Sequence, residues 1–274
     1  MKNPYENLYI YYLDNVPVLD RFIETLPSFL GMWVEEKEAF VFFSSSCNDQ
    51  VDKILSRNPG IRLIEKYEMT GEAWHGDKIE PYYINDLCIF PPWNRPVKTD
   101  EKTKAVMLDP GVVFGTGRHQ TTEDCLHLIH RLCTKEKIET VLDIGTGTGL
   151  LALGAAALGC QRVMACDFNF LAVKTTLNNI RLNDVEGRVL AFQARGEDMM
   201  SIPCDLMVAN IHYDVMRHLI ESPDLLKKKW FILSGLLNSE ARKVTESLSQ
   251  KKVHIIERRC PDGVWNTFLG KSLN

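Results

Sequence analysis

The sequence lacks an apolar run long enough to cross a membrane, and it lacks an excess of positive charge. No apolar run reaches the ~18 residues that a spanning helix requires, and the N-terminal segment does not have the charged and then apolar layout of a signal peptide. The 32 lysines and arginines are outnumbered by 36 acidic residues, and no basic stripe is visible. We therefore expect a cytoplasmic protein that binds neither a membrane nor, directly, a nucleic acid.

The eight cysteines also lack the spacing of a metal site. None of them forms a Cys-x-x-Cys pair, and several stand inside apolar segments, as Cys166 does. Structural zinc sites show paired Cys and His spacings, whereas buried free thiols are typical of a reducing compartment. We therefore expect free thiols and no metal.

What is present divides the chain into two domains. Residues 1–90 show the order strand, helix, two strands, helix, strand, with a helix predicted at 18–29. This order predicts a small α+β domain of the ferredoxin-like type. Three prolines in residues 91–96 predict a stiff connector, which polar residues extend to 104. We predict an N-terminal substrate-recognition domain at 1–90, a linker at 91–104 and a cofactor-binding domain at 105–274.

The second domain shows alternating strands and helices. Near-continuous apolar runs between helices predict a doubly wound α/β fold with a mostly parallel sheet covered on both faces. The turn signal Pro-Asp-Gly at 261–263 predicts that the last strand is antiparallel. The strand candidates are residues 140–144, 162–166, 189–193, 206–211, 230–234, 253–258 and 264–269.

A glycine-rich segment, here called the glycine loop (residues 143–149, Asp-Ile-Gly-Thr-Gly-Thr-Gly), joins a predicted strand to a predicted helix. Glycines such as Gly145 and Gly147 allow a tight turn and let a ligand approach the backbone closely. Asp167 ends the next predicted strand, where a carboxylate can accept hydrogen bonds from both hydroxyls of a ribose. The alternative for Asp167 is a helix cap, with Asn169 as a rival cap.

The loop spacing and Asp143 distinguish between two classes of cofactor. The dinucleotide fingerprint is Gly-x-Gly-x-x-Gly, whereas this loop is Gly-x-Gly-x-Gly. A carboxylate at Asp143 would repel a pyrophosphate but would suit a cationic ammonium group, such as that of a methionine moiety. The pattern therefore favours S-adenosylmethionine as the cofactor and disfavours a nicotinamide oxidoreductase.

Residues 107–122 resemble the signature of the ribosomal protein L11 methyltransferases, Leu-Asp/Glu-Pro-Gly-x-Ala-Phe-Gly-Thr-Gly-x-His-x-Thr-Thr. Here the segment is Met-Leu-Asp-Pro-Gly-Val-Val-Phe-Gly-Thr-Gly-Arg-His-Gln-Thr-Thr, with Val113 in place of alanine. The resemblance extends over about residues 72–274 and fades over 1–65, where the family's substrate-recognition domain lies. Three further segments match the family: 91–93 (Pro-Pro-Trp), 209–211 (Ala-Asn-Ile) and 233–237 (Leu-Ser-Gly-Leu-Leu).

This resemblance implies a class I methyltransferase fold with a seven-stranded sheet, and S-adenosylmethionine as cofactor. It implies a protein N-methyltransferase that modifies lysine or amino-terminal amines of ribosomal protein L11. The implied cofactor contacts are Thr122, Gly145, Asp167 and Asn210. The glycine loop itself adds Asp143 and Gly147 as predicted cofactor contacts. Phe114 is predicted to cover the cofactor, and the alternative is that it is a core aromatic.

The implied reaction is attack by an amine on the sulfonium methyl, which requires an in-line arrangement of nucleophile, methyl and sulfur. A lysine must first lose a proton, because its ordinary pKa is ~10.4. Asn210 can orient the amine through its side-chain oxygen. His119, which the family shares, is the candidate proton acceptor, and His212, where the family usually has leucine, is a second one. Each histidine is alternatively a polar packing residue.

Two alternatives to this function stay open. The enzyme could act on another protein or a small amine, and residues 1–65 together with His212 would decide this. The chain could also be a cofactor-binding module that has lost catalysis, although every position of the glycine loop is intact.

Overall fold

The structure is a computed structural model that describes residues 2–96 and 102–273. The predicted linker at 91–104 falls partly on residues 97–101, and that part lies outside the described residues.

The N-terminal part is a four-stranded antiparallel sheet with two helices on one face. The strand order is β2-β3-β1-β4, which is the ferredoxin-like arrangement that the sequence predicts. Buried side chains of the helices, such as Ile23 and Val51, pack with Val41 and Phe43 of the sheet. The elements are β1 (Leu8–Leu13), α1 (Arg21–Glu24), β2 (Phe29–Glu35), β3 (Glu38–Phe43), α2 (Asn48–Arg57) and β4 (Leu63–Met69).

The predicted helix at 18–29 was too long, because the structure has only α1 there. The helix begins after Asp20, whose carboxylate accepts a hydrogen bond from the backbone N–H of Ile23 at 2.9 Å. Pro27 disfavours helical conformation at Leu26 and ends the helix. The residues that follow pair with β3 instead.

Three short strands follow the N-terminal sheet and pack on the second half of the chain. They are preceded by a short helix and form a separate sheet in the order β5-β6-β7, in which β6 and β7 are parallel. Leu87 and Ile89 are buried together with Leu126 and Leu153. The domain division at 91–104 stays a prediction. The packing shows that buried side chains within residues 82–90 belong to the hydrophobic core of the second half. The elements are α3 (Gly71–His75), β5 (Tyr82–Ile84), β6 (Leu87–Phe90) and β7 (Lys104–Met107).

The second half contains a seven-stranded sheet with the order β10-β9-β8-β11-β12-β14-β13. β14 runs antiparallel to both of its neighbours, β12 and β13, as the turn at 261–263 predicts. This confirms the predicted class I methyltransferase fold. The strands are β8 (Thr140–Ile144), β9 (Arg162–Asp167), β10 (Val189–Gln193), β11 (Cys204–Asn210), β12 (Lys228–Leu237), β13 (Val253–Arg259) and β14 (Trp265–Ser272).

Helices cover both faces of this sheet. Along β8, Val141 packs on one face while Leu142 and Ile144 pack on the other, which is why its sequence is apolar throughout. The strand order reverses between β8 and β11, so the carboxyl end of β8 opens a crevice where such folds bind ligands. The helices are α4 (Gln120–Lys135), α5 (Leu150–Ala157) and α6 (Phe170–Leu182) on one face, and α7 (Tyr213–Glu221) and α8 (Asn238–Ser249) on the other.

The N-terminal sheet packs against the segment that joins β7 to α4, here called the signature loop (residues 108–119). Ile10 and Phe42 from the sheet share a buried apolar cluster with Val112 of this loop and Leu171 of α6. The side-chain amide of Asn169 also donates to the carbonyl of Val34 at 3.1 Å. No helix among the described residues is long and apolar enough to span a membrane.

Candidate functional site

The glycine loop turns sharply between β8 and α5. Gly145, Gly147 and Gly149 have φ values of 71°, 58° and 86°, a region that other residues rarely adopt. A Cβ on Gly147 would lie 2.5 Å from the carbonyl oxygen of Phe114, and a Cβ on Gly145 would collide with Ile211. The backbone here has room for a ligand or a neighbouring loop only because these positions lack side chains.

Asp143 is a buried carboxylate at the start of this turn. The hydroxyl of Thr146 donates to its Oδ2 at 2.6 Å, while none of the described groups makes a hydrogen bond of normal geometry to its buried Oδ1. Burial raises the pKa of Asp143 to about 7, against the opposing effects of the Thr146 hydroxyl and the backbone N–H of Ala152. An unpaired buried acceptor with a raised pKa is the chemistry that a nearby cation would satisfy.

Asp167 ends β9 beside the same turn. Its Oδ2 accepts a hydrogen bond from the N–H of Gly147 at 3.0 Å, and its Oδ1 accepts one from the N–H of Asn169 at 2.9 Å. Burial raises the pKa of Asp167 and these N–H donors oppose the rise. The cap of α6 is Asn169, whose Oδ1 accepts from the N–H of Leu171. Asp167 therefore has unused lone pairs, and the helix does not depend on it for a cap.

Thr122 and Asn210 meet on the other side of the turn. The amide nitrogen of Asn210, at the end of β11, donates to the Thr122 hydroxyl at 3.3 Å. The next residue, Ile211, lies against Gly145, and the N–H of Gly145 donates to the carbonyl of Cys166, next to Asp167, at 2.9 Å. The structure thus brings the predicted residues into one continuous row along the carboxyl ends of β11, β8 and β9.

The signature loop lies directly on the glycine loop. The N–H and hydroxyl of Thr148 donate to the carbonyls of Phe114 and Gly115, at 3.2 and 2.6 Å. The side-chain amide of Asn179 donates to the carbonyls of Asp109 and Thr148, both at 2.8 Å, and its oxygen accepts from the N–H of Asp109 at 2.8 Å. Asn179 is fully buried in α6 and ties the two loops together.

Phe114 and His119 lie at the open side of the signature loop. Phe114 is 58% exposed, so the alternative of a core aromatic is wrong, while its predicted role as a cover stays a prediction. His119 is the N-cap residue of α4, and its ring packs edge-on against Phe114 and Trp265. Its Nδ1 lies 2.7 Å from the hydroxyl of Thr121. Burial lowers the pKa of His119. His212 is exposed and precedes α7.

The N-terminal part holds the signature loop from the opposite side, which the sequence did not predict. The indole nitrogen of Trp74 donates to the carbonyl of Val112 and the Nε2 of His75 donates to the carbonyl of Gly111, both at 3.1 Å. The hydroxyl of Tyr5 donates to the carboxylate of Asp109 at 2.7 Å. These contacts join residues that are distant in sequence, so no local sequence pattern could have predicted them.

No three histidine, cysteine, aspartate or glutamate side chains within residues 2–96 and 102–273 are grouped so that they could hold a metal ion.

Comparison with known proteins gives the family. The family described as "Ribosomal protein L11 methyltransferase (PrmA)" matches residues 48–272. A relative from Anoxybacillus flavithermus, named ribosomal protein L11 methyltransferase, is 35% identical over 253 residues, which cover 89% of this chain and 77% of the relative. The chain belongs to the ribosomal protein L11 methyltransferase family. The resemblance stated from residues 107–122 is thereby confirmed.

Two further comparisons describe the extent of this likeness. A family member from Desulforamulus reducens is 35% identical over 185 residues, which cover 67% of this chain and 59% of that protein; the match therefore spans less than two thirds of that relative. A crystal structure described as ribosomal protein L11 methylase from Lactobacillus delbrueckii subsp. bulgaricus has a TM-score of 0.61 and 25% identity, and covers 71% of this chain and 100% of its own.

We predict that Asn179→Ala destabilises the fold, because it leaves buried backbone groups of both loops without partners. The expected loss is about 2 kcal/mol in the free energy of unfolding, measured by urea denaturation. The matched control is Asn178→Ala, on the exposed side of α6. Its amide donates to the side chain of Asp109 at 3.3 Å instead of to buried loop backbone, so the loss should stay below about 0.5 kcal/mol. Equal losses in the two variants would show that the Asn179 hydrogen bonds do not hold the loops together.

Proposed function

We propose that this chain transfers methyl groups from S-adenosylmethionine to amino groups of ribosomal protein L11. The observation that carries the proposal is the row formed by Thr122, Asn210, Gly145 and Asp167 at the crevice of the sheet, in a chain of this family. Its relatives are named for L11 methylation. No observation favours a binding module without catalysis.

The row fits the parts of S-adenosylmethionine. Asp167 has free lone pairs for the two ribose hydroxyls. The backbone of Gly145 and Gly147, which carries no side chains, would let the methionine part approach closely, and Thr122 would contact it from the start of α4. The unpaired oxygen of Asp143 suits a cationic ammonium group. The exposed ring of Phe114 would cover the bound cofactor.

When bound, S-adenosylmethionine supplies an electrophilic methyl group on a sulfonium centre. The chain's own task is then to present an amine in its neutral form at a fixed position. Thr122 holds the amide nitrogen of Asn210, which leaves the amide oxygen of Asn210 as an acceptor for an N–H of the amine. Asn210 is therefore proposed to orient the nucleophile.

The substrate amine must also lose a proton. An apolar cleft of about 520 Å³ leads to this region and is lined by Trp74, Phe114 and His212, among others. Removal of water from a lysine in such a cleft lowers its pKa and favours the neutral amine. Burial lowers the pKa of His119, which favours its neutral form. It is the proposed proton acceptor through Nε2, in the tautomer whose Nδ1–H donates to the Thr121 hydroxyl 2.7 Å away. His212 is the alternative acceptor.

The raised pKa of Asp143 makes cofactor affinity depend on pH. The carboxyl is largely protonated below its pKa of about 7 and ionised above it, and only the ionised form attracts an ammonium group. We expect calorimetry to show that the affinity for S-adenosylmethionine rises as the pH increases from about 6 to about 8, by at most about tenfold per pH unit.

In Asp143→Asn this rise should be absent. The control is Asp184→Asn, an exposed aspartate in a left-handed turn that asparagine tolerates, which should keep the wild-type pH profile. A profile in Asp143→Asn that matched the wild type would assign the pH dependence to another group and Asp143 to a structural role.

The substrate is tested by mass spectrometry of L11 incubated with the enzyme and S-adenosylmethionine. We expect L11 to gain mass in steps of one methyl group, and Asn210→Ala to slow the gain by roughly a hundredfold, because the amine would be misplaced. His212→Leu, which introduces the residue that the family usually has, should keep activity. If L11 stays unmodified, it is not the substrate, and another protein or a small amine is favoured instead.

A further inference from the structure

We propose that Cys133 and Cys160 form a redox-active thiol pair, which a peroxide oxidises to a disulfide and a dithiol reduces again. The pair joins α4, which contains Cys133, to the turn after α5, which contains Cys160. Both are free thiols in the structure, which therefore shows the reduced form of the pair. The inference does not depend on the proposed function, because both thiols lie at the ends of the helices that face away from the candidate site.

The two sulfur atoms are close together. The Sγ of Cys133 lies 3.6 Å from the Sγ of Cys160, so an approach of about 1.5 Å would bring them to the bonding distance of a disulfide, about 2.05 Å. The backbone N–H of Cys160 donates to the carbonyl of Ala155 at 3.1 Å, in a turn that Gly159 allows with its φ of 108°. Cys133 lies in the last turn of α4. Both cysteines are therefore held by regular helix-end geometry with their sulfurs in contact.

The two thiols differ in their access to solvent. Cys160 is only 1% exposed and lies among the apolar side chains of the core, whereas Cys133 is half-buried at the edge of that core. A small oxidant therefore reaches Cys133 first, and Cys160 is the thiol that can react with the oxidised sulfur. A partly exposed cysteine beside a second, resolving cysteine is the arrangement of a redox-sensitive site.

The surroundings favour the thiolate at Cys133. The hydrogen bond with Cys160 lowers the pKa of Cys133, burial opposes this effect, and the ammonium group of Lys104 on β7 lowers the pKa as well. The hydrogen bond and burial raise the pKa of Cys160, which therefore stays a thiol. Because the thiolate is the nucleophile, Cys133 is the cysteine of this pair that attacks the oxidant.

The reaction balances with a peroxide as the oxidant. The Cys133 thiolate attacks one oxygen of hydrogen peroxide, which forms an S–O bond, breaks the O–O bond and releases hydroxide. The Cys160 thiol then loses its proton and attacks the sulfur of this sulfenic acid, which forms the disulfide and releases a second hydroxide. With the protons that the two thiols lose, the hydroxides become two water molecules. A dithiol reductant restores both thiols by exchange and becomes a disulfide itself.

The disulfide would enclose the glycine loop. The chain between Cys133 and Cys160 contains β8, the glycine loop and all of α5, while α4 carries Thr122 in its first turn. A bond between the far ends of α4 and α5 would therefore hold this whole unit against the helix that supplies Thr122. Closing such a loop of chain lowers the entropy of the unfolded state, so the oxidised protein should unfold at a higher temperature.

The test treats the reduced protein with hydrogen peroxide, blocks the remaining thiols by alkylation and identifies the state of each cysteine by mass spectrometry of proteolytic peptides. The matched control is Cys260, which is also half-buried but whose sulfur contacts the amide oxygen of Asn238 and not a thiol. Cys133→Ser removes the attacking thiol, Cys160→Ala removes the resolving one, and Cys260→Ser is the control variant.

We expect a peptide that links Cys133 to Cys160 in wild type and in Cys260→Ser, and dithiothreitol should return it to two free thiols. In Cys160→Ala, a reagent for sulfenic acids (dimedone) should label Cys133 about fivefold faster than Cys260, or more. The Tm of oxidised wild type should lie at least about 3 °C above that of the reduced form, and peroxide should not raise the Tm of Cys133→Ser.

Peroxide that oxidises Cys260 without linking Cys133 to Cys160 would overturn the inference, as would a disulfide that joins Cys133 to a different cysteine. Wild type alone decides these outcomes, so they do not depend on how well the variants fold. Methyl transfer is not measured in this experiment, and the thiol pair and the proposed function can therefore fail separately.

Discussion

The site depends on the hydrogen bonds by which one buried amide holds two loops together. Asn179 binds the backbone of the signature loop at Asp109 and the backbone of the glycine loop at Thr148. Each loop carries residues of the candidate site, and residues 108–119 and 145–149 have no regular secondary structure to fix them. Because Asn179 is fully buried, water cannot replace these hydrogen bonds. Thr122 at one end and Gly145 at the other are positioned by this connection.

The buried carboxylates of the site explain why a cationic cofactor would matter to it. Asp143 and Asp167 are close enough for the charge of Asp167 to raise the pKa of Asp143 further. Two nearby carboxylates that are withdrawn from water destabilise the ionised state. An ammonium group near Asp143 would relieve this, while the ribose hydroxyls would satisfy Asp167. Cofactor binding would therefore relieve the electrostatic repulsion between the two buried carboxylates of the free site.

Much of this architecture could be predicted because it follows from local patterns. The apolar runs of strands such as β8 reflect burial on both faces, and the turn at 261–263 determines the direction of the last strand. The predicted length of the first helix was wrong, because Pro27 ends it early. The sharp turn of the glycine loop could also be predicted, because its glycines have a conformational reason that acts within a few positions.

What could not be predicted depends on contacts distant in sequence. Asn179 sits in an ordinary amphipathic helix, and its partners lie about 30 and 70 residues away in the chain. The short strands β5 and β6 are stabilised by contacts with β7 and with α4 and α5. The local sequence pattern of these strands does not indicate those contacts.

The central claim is that the glycine loop and Asp167 bind S-adenosylmethionine, and calorimetry tests it most directly. Wild type should bind S-adenosylmethionine or its demethylated product and should not bind NADH. Asp167→Ala should weaken this binding by roughly 1–3 kcal/mol, the effect of losing buried charged hydrogen bonds. Binding of NADH in preference to S-adenosylmethionine, or an affinity for S-adenosylmethionine that is unchanged in Asp167→Ala, would contradict the account.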